Sequence, residues 1–270
     1  MNYVFKISVK SNKSVKKLIP HLNKLLTASE WNFLELPFLL MFVKRNSMNM
    51  VKVAPLKIKV ELKSVPHPVT RIILVPENIT MLQLHLTIQL CMGWWGNHLF
   101  QFMDYKNDPT IIASFANDPE YFYDGMEEKE AHKVKLKKAF FEMREARPFW
   151  YWYDFGDDWW HHIRFLKPSK RDMAIFELQE GSPTCVEAIG TCPPEDVGGV
   201  RGYEEFCKAV NDPKHPEYES FREWADIAEG SVYDFEQVDI FQINEELETY
   251  FESKSWKRKT AEVFAKGLFA

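Results

Sequence analysis

Glycine is sparse in this chain, 11 in 270 residues, and cysteine is sparser, with four. The cysteines are Cys91, Cys185, Cys192 and Cys207. None forms a CxxC pair or stands at zinc-finger spacing, which argues against a structural zinc module or a small disulfide scaffold. Long apolar runs are missing too. The best stretch, WNFLELPFLLMFV at 31–43, falls short of the roughly 20 residues that span a bilayer, and Glu35 and Pro37 interrupt it. The first residues hold no apolar run ahead of a small-residue cleavage site. The expectation is a cytoplasmic protein with reduced thiols and no membrane span.

Nucleotide signatures are lacking as well. The Gly-rich stretch 190–202 has no Gly-Lys-Ser/Thr, and its Glu195-Asp196 would repel phosphate. Asp154-Phe155-Gly156 spells a kinase triplet, but no Gly-rich loop, VAIK-like lysine or HRD loop accompanies it.

What the chain does have is aromatic bulk, 21 Phe, 10 Tyr and 9 Trp within 46% hydrophobic content, enough for a sizeable core. Its net charge of −5 hides a division. Residues 1–56 carry 9 Lys/Arg against 2 Glu, and residues 253–270 carry 5 against 1. The middle, 57–252, holds 20 basic and 36 acidic residues. Nucleic-acid affinity comes mostly from clustered Lys/Arg releasing counterions, so the acidic middle is an unfavourable nucleic-acid binder. The basic ends are either solvated tails or a weak electrostatic handle.

Residues 1–56 read as a basic helical and apolar extension, with a helix at Ser14–Thr27 carrying Leu18, Ile19, Leu22, Leu25 and Leu26 at helical spacing. This segment is either an added element or lies outside the domain, since the text from Met50 resembles a natural domain start. Residues 57–63 alternate as a half-exposed strand, and 70–75 form a more buried one. Thr80 and Gln83 make a capping box for a helix at 81–92, with Ile79 placed to staple onto Leu84. Met81, Leu84, Ile88, Cys91 and Met92 share an arc, with His85 at its edge, so His85 should be buried. Residues 98–103 return as a strand, and 104–132 read as an acidic surface excursion. Residues 134–142 form a short strand-to-helix element. A hairpin follows at 148–155 and 158–166, then an edge strand at 174–178, a loop at 181–201, and helices at 202–211, 217–229 and 240–252. The pattern is α+β: a small, mostly antiparallel sheet with an early packed helix (β-β-α-β, then a hairpin) and C-terminal helices.

Several of these strings match a known pattern in order. They are Arg71–Pro76 closing a strand, Leu84-His85 on the helix, Gly93-Trp94 with His98 after it, YDFGDDWWHHI at 153–163, and CPPEDVGG at 192–199 followed by Gly202-Tyr203. From about Ile58 to Phe251 the chain resembles the plasmid pRiA4b ORF-3-like family. The family pattern has one Trp-x-His after the Asp-Phe-Gly-Asp turn, whereas here Trp159-Trp160-His161-His162 stands, with His161 keeping the spacing. The resemblance implies an α+β fold and an uncharacterised function. Some members carry a transposon-passenger or resolvase label. A serine recombinase needs a nucleophilic serine amid arginines, and the motif regions here are acidic.

The candidate functional cluster is His85, Trp94, His98, Asp154, Asp157, Trp159, His161, Cys192, Glu195 and Asp196. His85, His98, His161, Asp154 and Glu195 form a candidate set for zinc, manganese or iron, because imidazole and carboxylate ligands suit those ions. A His–Asp pair also suits general acid–base chemistry. The plainer reading is structural: Asp154 and Asp157 bond the backbone of a Gly turn, Glu195-Asp196 cap the helix near Gly202, and His85 is a hydrogen-bonded core residue. A two-residue hairpin loop would put Trp152, Asp154, Trp159 and His161 on one face. A three-residue loop would put His161 with Tyr153 and Phe155 instead. The run FWYWYDF at 149–155 is either a stacking platform or core filling. Cys192 lacks an evident base, which disfavours a catalytic thiol. Three functions stand open: a protein-interaction module associated with mobile elements, a metal-dependent hydrolase-like enzyme, and a nucleic-acid accessory protein acting through the basic ends.

Overall fold

The computed structural model describes residues 53–252 apart from 108, 111, 115–127 and 143–144. Most of the 1–56 extension, including the expected helix at Ser14–Thr27, and the tail 253–270 lie outside the described residues.

Strand β1 (Pro55–Leu62) opens two residues ahead of the expected domain start and pairs antiparallel with β2 (Val69–Pro76). Its alternation decides its faces: Ile58, Val60 and Leu62 are buried, while Lys57, Lys59 and Glu61 lie half-buried on the other side. Helix α1 (Met81–Met92) begins and ends where its residues dictate. Thr80 Oγ1 accepts from Gln83 N at 3.2 Å, Gln83 Oε1 accepts from Thr80 N at 2.9 Å, and left-handed Gly93 closes the last turn onto Gln89 O. The helix buries Met81, Leu84, Ile88 and Cys91 together with His85.

The described residues form one eight-stranded sheet in the order β5-β4-β3-β6-β7-β1-β2-β8. The further strands are β3 (Phe100–Met103), β4 (Ile112–Ser114), β5 (Glu128–Glu130), β6 (Phe149–Tyr153), β7 (Trp159–Leu166) and β8 (Thr184–Ile189). Among the described pairings only β4–β5 is parallel. A π-helical segment, Lys137–Glu142, precedes β6 and buries Phe140. Helices α2 (Lys170–Leu178), α3 (Gly199–Ala209), α4 (Tyr218–Trp224) and α5 (Ile240–Glu252) complete an α+β fold. No helix among the described residues is long and apolar enough to cross a membrane.

Three expectations need correction. Residues 174–178 are the second half of α2, not an edge strand. The deciding signal lies upstream: Ser169 and Asp172 form a reciprocal capping box, and Lys57 holds Asp172 at 2.8 Å. The segment 181–201 is not wholly loop, because Thr184–Ile189 adds β8 to β2 across a bulge at Ile72/Ile73. The acidic stretch 104–132 likewise contains β4 and β5, so the sheet is wider than expected.

In the hairpin, Tyr153 faces Trp159 as the last pair, leaving a five-residue turn at 154–158. The two-residue register is not formed. An odd turn places Tyr151, Tyr153, Trp159 and His161 on the core face, and Trp150, Trp152, Trp160 and His162 on the other. Asp154 and Asp158 adopt φ of 51° and 59°, and Asp158 N donates to Asp154 O at 2.7 Å, which closes the turn. Aspartate tolerates this left-handed region better than most residues because its short polar chain bonds locally.

Arg71 is the least expected core residue, at 2% exposure. Its Nε donates to Cys91 O at 2.7 Å, and its Nη1 to Thr70 O, Ile189 O and Gly190 O at 2.9, 2.9 and 3.0 Å. Its Nη2 reaches Cys192 Sγ at 3.2 Å. Among the described residues no carboxylate pairs with it. Backbone carbonyls replace its lost water, as a buried cation requires.

Candidate functional site

Three segments meet at the end of the β6–β7 hairpin: residues 94–98 between α1 and β3, the turn 154–158, and the loop 192–199 ahead of α3. The sheet brings the first two together, because Phe100 pairs with Tyr153 and Asp154 N donates to Leu99 O at 3.0 Å. The third is pinned by side chains. Trp94 Nε1 donates to Pro193 O at 2.9 Å, Trp95 N donates to Glu195 Oε2 at 2.6 Å, and the Tyr153 hydroxyl donates to Glu195 Oε1.

Asp154 serves two ends. Its Oδ1 accepts from Gly156 N at 3.0 Å and Asp157 N at 3.3 Å, and its Oδ2 lies 3.6 Å from His98 Nδ1. Across the imidazole, His98 Nε2 lies 3.2 Å from Asp196 Oδ1 and 3.9 Å from Glu195 Oε1. His98, Asp154 and Asp196 each present a ligand atom, all within 4.8 Å of one another. Asp196 is also held at a positive φ, 60°, so the turn aspartates Asp154 and Asp158 and the loop aspartate Asp196 share an uncommon backbone state. Such residues recur at functional sites. Three carboxylates facing one imidazole leave a local surplus of negative charge.

The capping expected of Glu195-Asp196 is not formed: the N-cap of α3 is Gly198, with no side-chain cap bond. Helix α3 starts at Gly199 rather than near Gly202, and Gly198 N donates to Asp157 Oδ2 at 3.3 Å. A Cβ on Gly199 would sit 2.5 Å from Asp157 O, and one on Gly202 would sit 1.9 Å from Val197 O. The motif glycines are therefore demanded by close backbone approach.

His85 and His161 lie apart from this triad, in the buried aromatic layer. His85 stacks on Phe100 with centroids 3.8 Å apart. The Tyr151 hydroxyl accepts from Gln89 Nε2 at 2.8 Å and lies 2.7 Å from His85 Nδ1. Burial keeps the imidazole neutral, so one ring nitrogen carries the proton and the other is bare. His161 Nδ1 lies 3.3 Å from Tyr151 O and donates to it, leaving Nε2 without a partner. Burial pushes both histidines down to about 3.

Trp94 and Trp159 are buried and stacked at 6.0 Å, with Tyr153 against Trp94 at 5.2 Å. Cys192 is buried between Arg71 and Met92, its Sγ 3.1 Å from Met92 Sδ, and burial pushes its thiol up to about 11. Two further participants were not in the candidate set. Tyr153 is the hydroxyl partner of Glu195, and burial with that carboxylate raises its pKa, keeping it protonated. Trp95 is 74% exposed beside the acids although its backbone is fixed by Glu195. Tyr153 opens the hairpin motif itself, so its place next to Asp154 was a usable signal. The family string singled out Gly93-Trp94 and carried no signal for Trp95.

The sequence profile of the family described as "Plasmid pRiA4b ORF-3-like protein" matches residues 54–242. The chain is 34% identical over 203 residues to an uncharacterised protein, y4hQ, of Sinorhizobium fredii, a match covering 75% of this chain and 94% of that protein. It is similar to the crystal structure of a protein of unknown function, MM3350 from Methanosarcina mazei Go1, at 31% identity and a TM-score of 0.55, over 70% of this chain and 95% of that one. The matched span takes in every residue of the His98–Asp154–Asp196 triad and both loops that carry it, and the chain belongs to the plasmid pRiA4b ORF-3-like family.

Proposed function

We propose that this protein binds a divalent metal ion through His98, Asp154 and Asp196 and uses it for hydrolysis of a substrate lodged against Trp95. The observation that carries the reading is the convergence of one imidazole and two carboxylates within 4.8 Å. Catalytic metal sites commonly have three protein ligands and keep a position open for water, and an N/O donor set suits zinc, manganese or iron. A bound ion would offset the negative surplus and lower the pKa of its water. His98 can offer the ion one nitrogen, and Asp196, with a side chain 61% exposed, has room to turn toward it. Glu195 then acts as a positioning residue, since Trp95 N and the Tyr153 hydroxyl already engage both its oxygens. The functional unit in this reading is residues 57–252, with the basic segments 1–56 and 253–270 as appendages.

A second reading, a protein-interaction module, is favoured by Trp95. An exposed tryptophan on a fixed backbone, rimmed by Asp196 and Glu195, suits a basic partner segment, and tryptophan is enriched among residues that dominate interfaces.

Elemental analysis of untagged protein, with manganese and zinc titrations after chelation, separates the two. Metal binding predicts near-stoichiometric zinc, manganese or iron, and affinity reduced at least about tenfold in Asp196→Asn, whose side chain carries none of the fold's turn bonds. Trace metal in the wild type together with a flat titration would sink the metal reading and turn the search to partners.

A further inference from the structure

The odd hairpin turn sorts the aromatic run at 149–155 onto two faces, and the second face has no part in the His98 site. We propose that this outer face, over β6 and β7, binds single-stranded nucleic acid.

On it Phe155, Trp152 and Trp160 form one column of near-parallel rings. Their centroids are 3.9 Å apart for Phe155–Trp152 at 20° and 5.0 Å for Trp152–Trp160 at 8°. Trp150 meets Trp160 edge-on at 6.2 Å, with His162 4.8 Å from Trp150. Core filling does not account for this column, because the inward positions Tyr151, Tyr153 and Phe149 supply that packing and the tryptophans remain half-buried on the other side.

Cations flank the column. Lys106 Nζ sits 4.4 Å over Trp160 and 5.8 Å from Trp150. On the adjoining strands, Arg164, Lys59 and Lys63 crowd a single carboxylate, Glu61, at 2.5, 3.3 and 3.6 Å. A second acid beside the column, Asp158, accepts from Trp160 Nε1 at 2.6 Å. Around the column the four cations Lys106, Arg164, Lys59 and Lys63 thus stand against the two acids Glu61 and Asp158, inside an acidic domain. At physiological salt charges beyond about 8 Å are screened, so the local balance governs what approaches.

A third observation points to a ligand. Ser114, Gln101 and Trp152 are neighbours across β4, β3 and β6, and each has a buried polar atom with no partner: Ser114 Oγ, Gln101 Oε1 and Trp152 Nε1. Ser114 and Gln101 are each 3% exposed, and alternation with Phe100 and Phe102 turns Gln101 to the outer side. Unmet donors and acceptors beside stacked rings and phosphate-binding cations are the elements of base-stacking recognition of unpaired strands. A neutral sugar would leave the cations unused, and an acidic peptide would leave the rings unused.

The test is fluorescence anisotropy of the full chain with labelled oligo(dT) and oligo(U) of about 12 nucleotides, over a salt series. Binding at low salt should weaken with a log–log slope near −2, from about three phosphate contacts at roughly 0.7 each. Lys63→Glu with Lys106→Glu, both solvent-accessible, should weaken it at least about tenfold and flatten the slope, and Trp160→Ala should do so by about tenfold with little change in slope. Circular dichroism melts of the lysine variant should match wild type, so its loss reports binding and not unfolding. The proposal is overturned by no binding at low salt, by equal binding of a duplex of the same length, or by affinity unchanged in the lysine variant, which would assign binding to the basic ends. None of these outcomes bears on the metal site, whose ligands lie elsewhere.

Discussion

Lowering the pH should loosen this fold well before its carboxylates titrate. His85 and His161 are fully buried, neutral, and held at about 3, against an ordinary histidine value near 6.5. The unfolded chain takes up protons below about pH 6.5 that the folded chain refuses until about pH 3. The stabilisation is therefore complete above about pH 6.5 and is lost as the pH falls from there. At about pH 5 each histidine lies some 1.5 units below its unfolded value. At 1.36 kcal/mol per unit, that is about 2 kcal/mol each and about 4 kcal/mol for the pair. His162, also pushed down chiefly by partial burial, adds in the same direction. Against a typical total of about 5–15 kcal/mol the loss is large. For a chain of this size it corresponds to a fall in Tm of roughly 8–16 °C. Thermal melts by circular dichroism between about pH 7.5 and pH 5, at constant ionic strength, measure it. His161→Asn keeps a donor for Tyr151 O but does not titrate. It should start at a lower Tm, since it leaves a void, and should show a clearly shallower fall with pH. A wild-type Tm steady within a few degrees across this range, or an undiminished fall in the variant, would refute the reasoning.

Two further outcomes follow from the close packing of the loops. Gly202→Ala places a methyl 1.9 Å from Val197 O and should cost at least about 3 kcal/mol in urea denaturation, whereas Gly93→Ala meets nothing within 4 Å and should cost only about 1 kcal/mol for its positive φ. Equal costs at the two positions would contradict the steric account. Cys192 and Cys207 are both pushed up to about 11 by burial, and Cys91 is raised as well. A thiol reagent near pH 8 should accordingly label these three slowly in the native protein and all four cysteines at once in denaturant. Rapid labelling of Cys192 in the native state would reopen its candidacy as a nucleophile.

The elements that announced themselves did so through local chemistry. Helix α1 carried its capping box, its apolar arc and its terminal glycine within one stretch, and it formed where those signals place it. The helix at 170–178 had an equally local signal in Ser169 and Asp172, but its apolar core Ala174–Leu178 is short enough to pass for a strand. Hairpin register was not legible, because it depends on Asp154 and Asp158 taking positive φ, which spacing alone does not reveal. The site was partly legible for the same reason. His98, Asp154, Glu195 and Asp196 stood in recognisable strings, yet the parity of the turn sends His161 inward, and the position of α1 under Tyr151 does the same for His85. Arg71 carried no sign that it would be buried, since its partners are carbonyls, which any residue supplies.

That arginine also constrains the order in which the chain can assemble. Its guanidinium takes one carbonyl from the end of α1, 20 residues on, and two from the exit of β8, 118 and 119 residues on. Until β8 has docked on β2, those two carbonyls are absent and the cation must keep its water. Closing a loop of that length costs entropy that local contacts do not repay. Dehydration of Arg71 therefore cannot precede the docking of β8. An intermediate without β8 keeps a hydrated charge at the edge of its core, a barrier to sealing around the wrong strand.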